Sequence, residues 1–378
     1  MTDKLILHIG THKTGTTTLQ SMLESNSEAL AANGFTYPAM PLKWKHAHIN
    51  RNAYWLSKAA YQRLSSKSVA EAEKIAPCRK ATEEAFARSK GTVILSDERL
   101  WYNATRKGFW PAARAILEEC GARNITVVLY LRRQDLFAES LWMQYVKNSR
   151  LQEDLSTFIA RKKMQAVCDY AAGVKKLHET FGPDKVIVRV YDRSVMVGGD
   201  TVADFLDVLG IDDTSAFACP ESPKNPSLSP SMALLKLQVN RSTAYGEAEK
   251  DFLANAAVNV SKNDVQRKGS LLSFEQRSAM LERYAAGNEW VAHTCLGRED
   301  GVLFPASEDE LRALSTEPDA LKLALQTCEL MAEALTAERE ERRRETAALR
   351  ERLHALEAAQ AAGIGSCAKR AARKLLGR

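Results

Sequence analysis

Residues 5–23 read LILHIGTHKTGTTTLQSML. Leu5-Ile6-Leu7-His8-Ile9 is a short apolar, β-branched run of the kind that forms a buried strand. Gly10-Thr11-His12-Lys13-Thr14-Gly15 follows, with two glycines to relax the backbone and small hydroxyl residues between them. From Thr16 the pattern turns helical, with Leu19, Met22 and Leu23 on one face. Strand, glycine-containing loop and helix N-terminus, in that order, make an anion cradle. The free N–H groups of the first helical turn point at the bound group, and the helix dipole favours negative charge there.

The rest of the chain repeats strands and helices. Asn33-Gly34 stops the first helical stretch, and Phe35 to Pro38 is a short extended segment. Thr92–Ser96 (TVILS) reads as a buried strand with Asp97-Glu98-Arg99 at its C-terminal end. Asn124–Leu131 (NITVVLYL) is the most apolar strand, terminated by Arg132-Arg133-Gln134-Asp135 and followed by a helix from about Leu136 to Ser149. One helix is expected over 155–181, a further strand over Lys185–Tyr191, and helices over 231–300. Alternation of this kind predicts an α/β protein with a parallel sheet covered by helices on both faces. Ligands of such sheets gather beyond the carboxyl ends of the strands, so charged residues there are site candidates.

The chain has 378 residues, 26% charged and 45% hydrophobic, which describes an ordinary globular protein. A net charge of +6 suits an anionic ligand, and no basic run in the main body points to nucleic acid. Seven cysteines stand singly without C-x-x-C spacing, so reduced thiols are expected, not a disulfide frame or a zinc site. No ligand cluster for a metal is visible. The N-terminus shows no long apolar stretch of the signal-peptide kind and no segment approaches 18 apolar residues, so a cytoplasmic location is expected.

The loop does not match the Walker A pattern G-x-x-x-x-G-K-[ST], because Gly15 is followed by Thr16-Thr17 and the lysine, Lys13, precedes it. Lys13-Thr14-Gly15-Thr16-Thr17 instead resembles the K-[ST]-G-T-T segment with which sulfotransferases hold the 5′-phosphosulfate of 3′-phosphoadenosine 5′-phosphosulfate (PAPS). A second segment is similar to bacterial members of that family: Leu131-Arg132-Arg133-Gln134-Asp135, then Glu139-Ser140, then Gln144 to Lys147. The resemblance implies that Arg132 and Ser140, eight residues apart, hold the 3′-phosphate. A guanidinium offers bidentate donors to a phosphate, and a hydroxyl adds one more. Ser140, Gln144 and Lys147 share a helix face. Arg267-Lys268-Gly269 is similar to the R-K-G triplet that completes the 3′-phosphate site in cytosolic members. Cofactor contacts are thus expected at His12, Lys13, Thr14, Gly15, Thr16, Thr17, Arg132, Ser140, Arg267, Lys268 and Gly269, and no metal is expected.

The resemblance implies a P-loop NTPase-like domain, here 1–305, that moves a sulfuryl group from PAPS to a hydroxyl of a carbohydrate, glycolipid or small molecule. Lys13 is expected to stabilise the leaving phosphate. Glu98 is the leading candidate for general base, with pairing to Arg99 or Arg132 as the alternative; His48 is the second candidate and His46 the third. His12 shapes the loop, and His8 is simplest as a core histidine. Lys43, Trp44, Lys45 and Trp55 would suit an anionic or sugar acceptor by charge and stacking. The rival readings are a nucleotide-dependent kinase or NTPase on a related fold, and a non-catalytic scaffold of the same fold.

From about Pro318 to Gly363 the chain is rich in Ala, Glu, Arg and Leu, predicting a long C-terminal helix within 306–362. Leu335, Leu349, Leu353 and Leu356 fit a heptad seam that Arg342 interrupts, so any coiled coil is short. Residues 363–378 carry five basic side chains and no acid: a solvated tail, or an anchor on an anionic membrane or polyanion. That helix and tail are the parts of the chain suited to a homo-oligomer or a membrane-surface contact.

Overall fold

The computed structural model describes residues 2–45, 51–65, 69–148, 151–218, 228–243, 246–263, 270–315, 327, 331 and 334–358. Five strands, β1 (Lys4–His8), β2 (Phe35–Thr36), β3 (Thr92–Ser96), β4 (Asn124–Leu131) and β5 (Val186–Val190), form one sheet in the order β2-β3-β1-β4-β5. Every pairing is parallel. The fold class is the one the alternation predicts: α/β, with a parallel sheet flanked by helices.

Central strands of such a sheet are buried on both faces, which is why they read as unbroken apolar runs. Along β1, Leu5 and Leu7, with Ile9 just beyond, join one core with Val93, Leu95, Val127 and Leu129. Ile6 packs against the other, where Ile94, Val128 and Tyr130 meet Leu19, Met22 and Leu23 of helix α1 (Thr16–Ser25) and Phe205. His8 lies on this second face, fully buried, edge-on to Tyr130 and Phe205.

The chain lays β2 and β3 on one side of β1 and then crosses to β4 and β5 on the other. The winding therefore reverses between β1 and β4, and the crevice beyond their carboxyl ends is where an open α/β sheet binds its ligand.

Two expectations change. The single helix over 155–181 is three: Leu155–Ala160, Lys162–Cys168 and Tyr170–Phe181. Arg161 is extended, and Asp169 accepts a hydrogen bond from the Ala172 amide, starting a new helix instead of continuing the old one. The helix Glu308–Leu314 lies against the main body, since Glu310 pairs with Arg133 and Arg312 covers the Phe274 ring. Residues 334–358 are helical and, beyond half-buried Ala334, exposed throughout, with Leu335, Leu349, Leu353 and Leu356 on the surface. His46, His48, Arg267-Lys268-Gly269 and the 363–378 tail lie outside the described residues. Among the described residues, no helix is long and apolar enough to cross a membrane.

Candidate active site

The loop that leaves β1 is stitched to both neighbouring strands. Ile9 N–H donates to the Val128 carbonyl and Thr11 N–H to that of Tyr130, while Tyr130 N–H donates to the Gly10 carbonyl at 2.7 Å. On the other side Asp97 N–H donates to the carbonyl of His8. Gly10 has φ +94°, and a Cβ there would stand 2.7 Å from that of Glu98. Lys13 is itself left-handed at φ +66°, and Gly15 at φ +72° begins α1. No side chain caps α1 and its first turn carries no acid, so the N–H groups facing the crevice keep their capacity for an anion.

The two segments singled out in the sequence meet here. Arg132, directly after β4, donates from Nη1 to the Lys13 carbonyl at 2.9 Å, and its guanidinium covers the Tyr191 ring at 5.7 Å. Tyr170 Oη donates to the Arg132 carbonyl at 2.6 Å, holding that backbone in place. Lys147, from the helix Gln134–Asn148, adds its charge on the same side. Desolvation, Arg132 and Lys147 together push the Lys13 ammonium down to about 8. Among the described residues neither Lys13 nor Arg132 has a carboxylate within ion-pair distance. Lys13 and Arg132, beside an uncapped helix and without an ion-paired carboxylate among the described residues, are arranged for an anion. Ser140 is half-buried two turns into the helix that follows Arg132.

Glu98 lies beneath the loop, buried, and its partner is neither Arg99 nor Arg132. Arg51 reaches it at 3.1 Å and grips Asp97 with two further hydrogen bonds of 2.8 and 3.0 Å. Gln20 of α1 donates to Glu98 Oε2 at 3.2 Å. Burial pushes the Glu98 carboxyl up, but Arg51 and His12 outweigh it and hold it at about 2. Glu98 is therefore an ionised carboxylate packed under the loop. His12 packs edge-on against Tyr102 at 5.6 Å, with Nδ1 buried and unpaired. Desolvation lowers its pKa to about 4, so it is a neutral group at pH 7.

Trp44 and Trp55 are not stacking platforms. Trp44 is 3% exposed against Tyr54, and Trp55 is 0% exposed. Composition alone does not separate a buried aromatic from one that faces a ligand. Lys43 and Lys45 lie on the surface.

Sequence reasoning did not find the clamp behind the second segment. Arg277, 0% exposed, binds Asp135 and Ser270 and lies 3.7 Å from Glu139. Glu139 also accepts from Ser270 Oγ and Leu271 N–H, both at 2.6 Å. The residues following Arg267-Lys268-Gly269 are thereby fastened to the helix turn that carries Ser140. Nothing local in the sequence marks Arg277, since it is one charge in an ordinary amphipathic helix.

His8 gives a pH signature. Its Nδ1 lies 2.8 Å from Ser96 Oγ, and burial lowers its pKa to about 4. An unfolded chain takes up this proton near 6.5 and the folded one does not, so stability present above that pH is lost as pH falls toward 4. Wild type is expected to lose roughly 2 kcal/mol from His8 between pH 7 and pH 5. Urea midpoints of His8→Asn should show a correspondingly shallower decline, and an unchanged slope would remove His8 as its source.

No family model matches the chain. A protein of Archaeoglobus fulgidus, described as uncharacterized, is 28% identical over 185 residues, 49% of this chain and 49% of that protein. The chain thus spans about half the length of that curated relative. Among solved structures, a sulfotransferase from Alicyclobacillus acidocaldarius shares 16% identity over 60% of this chain and 87% of its own, with a TM-score of 0.39. The sulfotransferase domain of the curacin biosynthetic pathway gives 11%, 59%, 79% and 0.35 by the same measures. That of the Synechococcus PCC 7002 olefin synthase gives 15%, 65%, 96% and 0.32.

Proposed function

We propose that this chain binds PAPS in the crevice between β1 and β4 and transfers its sulfuryl group to an acceptor hydroxyl. The observation that carries this reading is the hydrogen bond from Arg132 to the Lys13 carbonyl, which unites two cationic sites at the ends of neighbouring strands. A nucleotide phosphorylated at both its 5′ and 3′ positions has a use for both sites. The Lys13-Thr14-Gly15-Thr16-Thr17 segment and the Arg132–Ser140 spacing support the same assignment.

In the reaction, the acceptor oxygen forms a bond to sulfur as the bond from sulfur to the phosphate oxygen breaks, and the acceptor proton leaves to a base. Negative charge grows on the departing phosphate, where Lys13 and the first-turn amides of α1 would stabilise it. Glu98, ionised beside the loop, would take the acceptor proton; its pairing with Arg51 makes it a weak base, suited to a proton that moves only as the oxygen–sulfur bond forms. His48 is the alternative base.

Calorimetric titration with adenosine 3′,5′-bisphosphate tests the reading. Wild type is expected to bind it, and Lys13→Ala and Arg132→Ala each to bind at least about 30-fold more weakly, on the order of 2 kcal/mol for a charge-assisted contact. Binding of ATP–magnesium with indifference to the bisphosphate would overturn the reading in favour of a nucleotide-dependent kinase or NTPase.

A further inference from the structure

A second group of cations gathers around Tyr102, whose ring packs against His12. Tyr102, whose ring meets His12, carries Lys163 Nζ 3.8 Å over its centroid and contacts the Tyr145 ring edge-on at 6.4 Å. Arg99 reaches Tyr54 Oη at 2.5 Å, and Arg106 covers Tyr61 at 4.0 Å. Desolvation, Arg99 and Arg106 push the Lys163 ammonium down to about 8, so these charges are close enough to oppose one another. Among the described residues, no carboxylate lies within ion-pair distance of Lys163, Arg99 or Arg106. Nearby Arg161, by contrast, is paired with Glu153, and Arg51 with Asp97 and Glu98.

Like charges held together over aromatic rings, without a counter-ion, repel one another until an anion arrives. The half-buried rings of Tyr102 and Tyr145 set aromatic groups directly beside these charges. His12 feels the charges of both Lys13 and Arg99, so the two positive groups are neighbours.

We infer that this Tyr102–Lys163–Arg99–Arg106 cluster is the acceptor subsite, and that it selects a ring-bearing hydroxyl acceptor that itself carries a carboxylate or phosphate. The inference rests on the sulfuryl-transfer reading of the neighbouring crevice. It also moves the anionic-acceptor role from Lys43, Trp44, Lys45 and Trp55 to Arg99, a strand-end charge, and to Tyr102, Lys163 and Arg106, which the sequence did not single out.

The test is calorimetric, on full-length protein saturated with adenosine 3′,5′-bisphosphate. Two matched pairs are compared: 4-nitrophenyl β-D-glucuronide with 4-nitrophenyl β-D-glucoside, and glucose 6-phosphate with glucose. The charged member of at least one pair is expected to bind about tenfold or more tightly than its neutral partner. Lys163→Ala and Arg106→Ala, both at surface positions, should each cut that preference at least about threefold while leaving bisphosphate affinity unchanged. Equal or undetectable binding within both pairs overturns the subsite and leaves the nucleotide reading standing. Loss of bisphosphate affinity in Lys163→Ala also overturns it, by assigning these cations to the nucleotide. Failure of wild type to bind the bisphosphate removes the reading on which the subsite rests, and the subsite with it.

Discussion

Replacing Gly10 with alanine is expected to lower stability by about 2–5 kcal/mol and to abolish bisphosphate binding. The added Cβ would stand 2.7 Å from Glu98 Cβ and 2.9 Å from Glu98 Cα. Neither atom can swing aside, because Asp97 N–H is bonded to the His8 carbonyl and Glu98 is held by Arg51 and Gln20. The left-handed φ adds its own strain for any residue with a side chain. Gly34 separates the two effects: its φ is +81°, yet a Cβ there would meet nothing within 4 Å. Gly34→Ala should cost only about 1 kcal/mol. Urea unfolding of both variants decides the matter, and equal losses would refute the close-approach account.

Arg277→Met is expected to cost about 3–5 kcal/mol, because it leaves buried Glu139 without its cation and buried Asp135 with Arg133 alone. Asp135 and Glu139 are 0% and 5% exposed, and burial already pushes the Glu139 carboxyl up. Without Arg277 the Glu139 carboxyl should rise further. A carboxyl whose folded pKa lies above its unfolded one gives stability that is present below the unfolded value and lost as pH rises through the folded one. The deficit of Arg277→Met relative to wild type should therefore shrink as pH falls from 8 to 5.5. A deficit that is constant or grows over that interval would mean that cavity formation, and not charge, sets the cost. Because Ser270 and Leu271 hang on Glu139, the same variant is also expected to weaken bisphosphate binding.

Much of the sheet was legible because parallel central strands are apolar runs closed off by charge. Thr92–Ser96 and Asn124–Leu131 are strands over the bounds their composition predicts, and the other two long strands differ by one residue at each end. The loop between β1 and α1 was legible because two glycines after an apolar run and ahead of a helical periodicity mark a strand–turn–helix junction. The Arg51–Asp97–Glu98 group was not, since it joins residues more than 40 positions apart. Trp44 and Trp55 misled because a segment rich in aromatic and basic residues looks the same from sequence whether its rings face the core or a ligand. The break at Asp169 was missed because an Asp within an apolar periodicity reads as a surface residue until its hydrogen bond to Ala172 is seen.

The position of β1 and β4 in the middle of the sheet also sets the order in which the molecule opens. Edge strand β2 has two residues and one partner, so it can fray by itself. The amides of β1 and of Ile9, Thr11 and Tyr130 are locked into ladders with partners on both flanks, and they exchange with solvent only when the whole domain unfolds. Slow hydrogen exchange there, against fast exchange at Phe35 and Thr36, would mark a cradle that exists before its ligand. A nucleotide entering such a cradle orders no backbone, and its affinity keeps what a loop that folds on binding would lose.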